Sequence, residues 1–509
     1  MHKNILILDY LETSAQRYPH KAAVIDEKEG CTFLELMEQS QSAGSALLGT
    51  VKSREPVGVF MEKGKNALAA FLGIVYAGGF YGMLNPRLTD ARLAQILSVF
   101  DASVMITDRE HFFRAKAIFK GKTVVQIEDL IQIPKNRAGL KARRCAMIDT
   151  DPLYANFTSG STGVPKGVVV SHRSVIDFID CFTPEFGIEA KDVIGNQAPF
   201  DFDVSVKDIY SALKTGAQLV VIPTALFSSP ARLMDFICEH KVTTMIWAVS
   251  ALCLLSTFHG LDYKTPEHVR RVLFSGEVMP QKHLNIWMEH LPEAVFVNLY
   301  GPTEITCNCT YHVIDRTQSY DGPIPIGRPF VNERVFLLDE HDREILKPGQ
   351  TGEICVAGTA LALGYYNAPD ETSRRFTQNP LNPHYPELIY RTGDLGYMDA
   401  GGELYFCGRK DFQIKYQGHR IELEEIERAA CRIDGIWSCV CVFDAKKSRL
   451  WGFYTGTLSQ SELAGALREV LPDFMLPSVL RRLEQMPLTA NGKTDRRALE
   501  ALLNESRHS

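Results

Sequence analysis

Residues 158–167 read TSGSTGVPKG. The run holds three glycines, four Ser/Thr hydroxyls ahead of Gly163, and one lysine. Glycine reaches positive φ without strain and lets the backbone approach a ligand closely. Unpaired N–H groups in such a turn can hold phosphate oxygens. Lys166 adds positive charge. Thr158, Ser159, Gly160, Ser161, Thr162, Gly163 and Lys166 are therefore candidate phosphate contacts. The GxxxxGK[ST] spacing of a Walker A loop is absent. Residues 154–157 read as a strand and 174–181 as a helix, with the loop between them.

The rest of the composition sets the frame. At 509 residues the chain is too long for one compact core and implies two or more domains. Hydrophobic residues at 45% and charged residues at 23% are ordinary for a globular protein. A net charge of −6 argues against an electrostatic nucleic-acid binder. The apolar run 5–8 is too short for a signal peptide, and Asp9 and Glu12 follow it. No stretch approaches the roughly 20 apolar residues of a membrane helix. A cytoplasmic location away from membranes is expected. The 12 cysteines are scattered, and the CxC at Cys307 and Cys309 has no second ligand pair at zinc spacing.

Strand-like and helix-like runs alternate through the first 400 residues or so. Examples are 56–60 followed by 67–77, and 218–222 followed by 230–239. Strand-like runs also cover 104–107 and 243–247. This is the pattern of α/β layers with largely parallel sheets. Between about 328 and 408 the pattern changes to short β-like runs (335–338, 352–357, 403–407) split by Gly/Pro/Asp turns, a small β-rich subdomain. A boundary follows near 408–415. Beyond it come a helix (422–431), two strands (436–443, 449–454) and a helix (461–470), enough for a small α+β C-terminal domain. The expected division is 1–408 and 409–509.

TSGSTGVPKG resembles the phosphate loop of the adenylate-forming superfamily, which includes acyl-CoA synthetases, luciferases and the adenylation domains of nonribosomal peptide synthetases. YGPTE (300–304), GEICVAG (352–358), YRTGDLG (390–396), GRKDFQIKYQGHRIELEEIE (408–427) and NGKTDRRAL (491–499) follow in the family's order and span most of the chain. The resemblance implies a large α/β N-terminal domain and a small mobile C-terminal one. It implies formation of an acyl-adenylate and pyrophosphate from ATP, then transfer of the acyl group to a thiol.

The resemblance also assigns roles. Glu304 corresponds to the carboxylate holding Mg²⁺ against the ATP phosphates, with Thr162 and Thr303 on the phosphate side and Gly301 in the same motif. Magnesium takes one or two carboxylates plus phosphate oxygens, which suits this. Tyr300 corresponds to the ring against adenine and Asn298 to the contact with its amino group. Asp394 corresponds to the ribose-diol acceptor, since a carboxylate can take two hydrogen bonds, and Arg409 approaches the ribose. Lys493 corresponds to the catalytic lysine, a mobile cation for a step in which two anions meet. Asp411 falls at the hinge. Gly418 and Phe202 fall along the thiol tunnel, with ordinary packing an equal alternative for Phe202.

The acid is read from residues 200–206, FDFDVSV, which resemble a segment of amino-acid-activating members. There the aspartate at Asp203 pairs with the substrate's α-ammonium, and a buried ammonium left unpaired costs several kcal/mol. Asp201 is a neighbouring competitor for this role. Val204, Lys207, Trp247, Leu273, Ser275, Gly276, Leu299, Cys307 and Asn308 complete the expected lining. Among single-domain members the chain is most similar to D-alanine–D-alanyl carrier protein ligases. It departs from them at Ser275, where they carry cysteine, and at Lys207, where they are apolar. Lys207 either pairs with an acidic substrate side chain or snorkels away. The chain ends soon after residue 499, so a phosphopantetheine-bearing carrier protein is expected in trans. The expected reaction is that of a stand-alone amino acid–carrier protein ligase using ATP and Mg²⁺. An acyl- or aryl-CoA synthetase is the alternative, favoured by LNPRLTDARL (84–93) and disfavoured by Asp203.

Overall fold

The computed structural model describes residues 5–160, 164–318, 320, 322–445, 447–487 and 494–505. Two compact units emerge. The first comprises Met1–Pro86, Phe100–Asn156 and Gly167–Lys410, and the second Arg87–Val99, Phe157–Lys166 and Asp411–Ser509. The fold is mixed α/β with parallel sheets and β-rich regions. No helix among the described residues is long and apolar enough to cross a membrane.

The first large sheet has nine strands. Its spatial order is Arg328–Pro329, Thr310–Val313, Val295–Tyr300, Arg271–Ser275, Thr244–Ala248, Val193–Asn196, Gln218–Val221, Ala22–Ile25 and Gly30–Thr32. The six strands from Val295–Tyr300 to Ala22–Ile25 run parallel, and antiparallel pairs close both edges. A second sheet of seven strands includes Pro56–Phe60, which runs parallel to the central strand Phe80–Leu84 and to Val104–Thr107. These inner strands are rich in Val, Ile and Phe and buried on both faces, as parallel sheets under helices are. The expected helices at 67–77 and 230–239 are Lys65–Tyr76 and Pro230–Glu239.

One local expectation changes. The glycine-rich stretch lies between two strands, Pro152–Thr158 and Lys166–Ser171, and the helix His172–Glu185 begins only afterwards. Val168, Val169 and Val170 supply the β-branched run that makes the second strand. Ser171 then caps the helix, its hydroxyl accepting from the Ser174 N–H at 3.1 Å.

The β-rich part of the first unit is a five-stranded antiparallel sheet of Glu333–Leu338, Gly352–Gly358, Leu388–Met398, Phe376–Gln378 and Leu404–Arg409. In the second unit, the hairpin Gln413–Tyr416 and His419–Glu422 precedes the helix Leu423–Cys431. A three-stranded sheet of Ile436–Asp444, Arg449–Gly456 and Val479–Arg482 follows. Arg496, on the last helix, donates to both carboxylate oxygens of Glu427 at 2.7 and 2.9 Å and to the Cys441 carbonyl at 2.7 Å, tying helix to sheet.

Glu333 opens the first strand of the antiparallel sheet. Its Oε1 accepts from the Ala360 N–H at 3.0 Å, and its Oε2 has no partner among the described residues. Burial, helped by the nearby charge of Asp177, pushes its carboxyl up to about 8. An unfolded glutamate titrates near ~4.3. The native state therefore binds the extra proton between those values, and its stability falls as pH rises through that window. Glu333→Gln keeps the Ala360 bond without the charge. It is expected to match wild type near pH 4 in urea unfolding and to gain on it steadily toward pH 8.5. A pH-independent offset would contradict this reading.

Candidate active site

Ligand sites in open α/β sheets lie beyond the carboxyl ends of the strands. Four parallel strands of the nine-stranded sheet end at Asn196, Ala248, Ser275 and Tyr300, and most of the expected site residues cluster there. Three of these strands share a register that aligns Ile246, Leu273 and Val297 in one row and Ala248, Ser275 and Leu299 in another. Alternation along a strand sends both rows to one face. Ile246, Leu273, Val297, Leu299 and Cys307 accordingly lie in one core cluster.

Trp247 belongs to the other face, which corrects its expected place in the lining. Its register partners are Phe274 and Asn298, and it packs in a separate core cluster. Its ring meets Phe227 edge-on at 5.5 Å, and its Nε1–H donates to the Gly195 carbonyl at 2.8 Å. The period of two within this strand puts Ile246 and Ala248, not Trp247, on the face that carries Leu273, Ser275 and Leu299.

Asp203 stands at the start of the helix Val204–Thr215, and Lys207 lies one turn further on. Lys207 does not snorkel to solvent. It is 1% exposed, and its Nζ donates to Asn308 Oδ1 at 2.6 Å and to Ser275 Oγ at 3.4 Å. Burial lowers its pKa, opposed by Cys307, Asp203 and Asp208. The Cys307 thiol donates to the Asp203 carbonyl at 3.1 Å, and burial pushes that thiol well up. Asp201 is engaged elsewhere: the Asn85 amide donates to its carboxylate at 3.3 Å. Val204, at the first turn of the helix, and Gly276, after its strand, complete the expected set. Phe202 sits on the turn before the helix, its carbonyl accepting from the Ser205 hydroxyl at 2.7 Å.

The segment after Tyr300 folds tightly back on itself. A Cβ on Gly301 would stand 2.5 Å from Asn308 Cα, so only glycine fits there. Thr306 and Cys307 both take positive φ, 53° and 78°, and the Thr306 hydroxyl ties the turn to the Ala360 carbonyl at 2.6 Å. Glu304 follows Thr303 in a short 3₁₀ turn. It is 1% exposed, and its Oε1 accepts the Tyr365 hydroxyl at 2.7 Å. Asn298 donates to the Pro325 carbonyl at 2.8 Å, leaving its side-chain oxygen as an acceptor. Tyr300 donates its hydroxyl to Asp394 Oδ2 at 2.5 Å, and Arg409 donates to Asp394 Oδ1. Asp394 and Arg409 are direct partners on adjacent strands.

In the second unit, the Ser159 hydroxyl donates to the Arg420 carbonyl at 2.7 Å. Gly160 turns against Val164: a Cβ there would meet the Val164 carbonyl oxygen at 2.0 Å. Thr158 ends one strand and Lys166 begins the next. Gly418, with Gln417, makes the two-residue turn of the hairpin, both at positive φ, and Asp411 is the residue at which the second unit resumes. Ser161, Thr162, Gly163 and Lys493 lie outside the described residues.

The structure adds residues that no motif flagged. Asp208 is fully buried beside Lys207, accepts the Asn196 amide at 2.7 Å and is pushed up to about 7 by burial. Tyr154 is fully buried, its hydroxyl lacks a partner among the described residues, and it is within electrostatic reach of Cys307 and Asp203. Helical spacing from Asp203 points to Lys207 four residues on but not to Asp208, and Tyr154, from another sheet, leaves no trace in the spacing.

The chain belongs to the AMP-binding enzyme family, which matches residues 11–366. It is 32% identical to zwittermicin A synthase ZmaJ of Bacillus cereus over 512 residues, 98% of this chain and 95% of that protein. It is 33% identical to bacitracin synthase 3 of Bacillus licheniformis over 513 residues, which are 98% of this chain but 8% of the synthase. The chain thus spans a small part of such large synthases. Among solved structures, holo-PA1221, an NRPS protein containing adenylation and PCP domains bound to a vinylsulfonamide inhibitor, matches with a TM-score of 0.83 at 25% identity. That match covers 98% of this chain and 84% of the other. The protein is therefore an adenylate-forming enzyme resembling the adenylation domains of nonribosomal peptide synthetases.

Trp247→Phe tests the placement of that ring. The substitution removes the indole donor to the Gly195 carbonyl and is expected to cost about 1 kcal/mol in denaturant unfolding. The order of preference among acid substrates is expected to stay as in wild type, and a reordering would return Trp247 to the lining.

Proposed function

We propose that this enzyme activates an amino acid as its adenylate and transfers the aminoacyl group to the phosphopantetheine thiol of a carrier protein in the cytoplasm. The observation that carries the amino acid is Asp203, at the head of the helix whose next turn holds the buried Lys207, beside Cys307 and the row of Ser275 and Leu299. A carboxylate there answers an α-ammonium, a group that fatty and aromatic acids lack. The relatives named as zwittermicin A and bacitracin synthases, and a neighbour containing adenylation and PCP domains, support the carrier as acceptor.

In the first step an oxygen of the substrate α-carboxylate attacks the α-phosphorus of ATP, and the bond to pyrophosphate breaks. In the second a thiolate displaces AMP from the acyl carbon. The loop 158–167 grips phosphates, with Thr303 on the same side and Gly301 letting the backbone close in. Tyr300 lies against adenine, and Asn298 offers its oxygen to the adenine amino group. Asp394, braced by Tyr300 and Arg409, takes the ribose hydroxyls: each carboxylate oxygen keeps a second lone pair for a ligand. A buried carboxylate anchored by one hydroxyl fits Mg²⁺, so Glu304 would hold the ion, which neutralises phosphate charge when bound. Lys493 is assigned the charge that follows the leaving pyrophosphate. We assign residues 409–509 to a domain turning about Asp411, with Gly418 and Phe202 along the path of the thiol.

ATP–pyrophosphate exchange driven by amino acids is the direct test. Lys493→Ala is expected to lower the exchange rate on the order of 100-fold or more, and Asp203→Ala to abolish the response to amino acids. Exchange driven only by simple carboxylic acids, with free coenzyme A as acceptor, would overturn the amino acid and the carrier together.

A further inference from the structure

The Lys207 ammonium is unusual in what surrounds it. It is buried, and among the described residues its hydrogen-bond partners are two neutral oxygens, Asn308 Oδ1 and Ser275 Oγ. No carboxylate of a described residue lies within ion-pair distance of it. Asp208, next in sequence, gives one oxygen to Asn196, and its other oxygen is unpartnered. An ammonium has three donors, so two protein acceptors leave one unspent. A desolvated cation in that state is costly unless an anion completes it.

A second group points to the same place. The buried Tyr154 hydroxyl has no hydrogen-bond partner among the described residues, and it shares with Lys207 the electrostatic neighbours Cys307 and Asp203. An unspent ammonium donor and an orphan hydroxyl thus lie in the same buried, charged neighbourhood. Its opposite charge, Asp203, stands one helical turn before Lys207, a rise of about 6 Å. The start of the helix is bipolar: an anion at its head and a cation one turn along.

We infer that the amino acid activated here carries a carboxylate at the end of its side chain, with Asp203 pairing the α-ammonium and Lys207 pairing the side-chain carboxylate. The inference rests on the amino-acid-adenylating reading above. The α-carboxylate is the group that attacks ATP; the side-chain carboxylate is held apart from it by Lys207 and stays unreacted. Ser275 and Asn308 act as positioning residues that hold the ammonium in the pocket.

The test compares acids with their own amides, which match in shape and differ in charge. ATP–pyrophosphate exchange by the purified protein is measured with aspartate and glutamate, both enantiomers, against asparagine and glutamine. The better acid is expected to exceed its amide in kcat/KM by about 10- to 100-fold, the worth of one charge-assisted hydrogen bond. Lys207→Met is expected to erase that ratio while leaving the KM for ATP in place. A wild-type preference for an amide or an apolar amino acid would overturn the inference, as would an acid preference that survives Lys207→Met. The wild-type ratio decides even if the variant does not fold. Exchange with neutral amino acids alone refutes only the charge assignment, whereas exchange with no amino acid refutes the amino-acid reading beneath it.

Discussion

Everything at the site depends on the parallel register of three strands, Thr244–Ala248, Arg271–Ser275 and Val295–Tyr300. A sheet covered on both faces gives each strand residue a choice of two buried environments, and a slip of one residue exchanges them. In the observed register Ser275 and Leu299 share a face with Leu273, while Trp247, Phe274 and Asn298 take the other. The helix Val204–Thr215 packs on this sheet, and the bonds from Lys207 to Ser275 and Asn308 join helix, strand and turn into one wall. Slipping the register would pull Ser275 away from Lys207 and leave the ammonium with one partner.

That wall is expensive. The helix buries Lys207 and Asp208 in successive positions where apolar residues would pack more cheaply. Their pKa values move toward neutrality, the ammonium down and the Asp208 carboxyl up to about 7, because burial disfavours both charges. Local rules are broken in this way mostly where a ligand later supplies the missing partner. The same strain is absent on the opposite face of these strands, where Trp247 and Phe274 fill an apolar cluster and the indole nitrogen has its carbonyl.

Much of this was legible in the sequence, and the failures have physical causes. The strands 56–60 and 104–107 and the helix 230–239 stand where the pattern put them, because their apolar periods are strong and their flanks carry turn residues. The loop at 158–167 is legible from its glycines and hydroxyls, whereas the strand behind it is not, because a valine run of three is too short to outweigh the helix that follows. Trp247 was misplaced because position within a strand, not identity, decides the face. Whether Lys207 turned inward depended on Asn308, which lies 101 residues away in sequence, and no local pattern carries that information. Tyr154 comes to the same neighbourhood from a separate sheet, and no local pattern carries that either.

The other half of the site shows how distance in sequence becomes rigidity in space. Tyr300 and Asp394 are 94 residues apart, yet one hydrogen bond joins them, and Arg409 holds the remaining carboxylate oxygen from the neighbouring strand. Both carboxylate oxygens are therefore oriented before any ligand arrives. A carboxylate fixed by a buried hydroxyl and a guanidinium needs little reorganisation to accept further hydrogen bonds, which is the condition for precise recognition. The turn at 301–308 extends the same logic to Glu304. Gly301 pressed against Asn308, two residues at positive φ and a hydroxyl tied to Ala360 leave the segment one conformation. That conformation delivers Glu304 to Tyr365 at one end and Asn308 to Lys207 at the other. The turn thus couples the buried Glu304 carboxylate to the wall that holds Lys207, so the geometry of one cannot relax without moving the other.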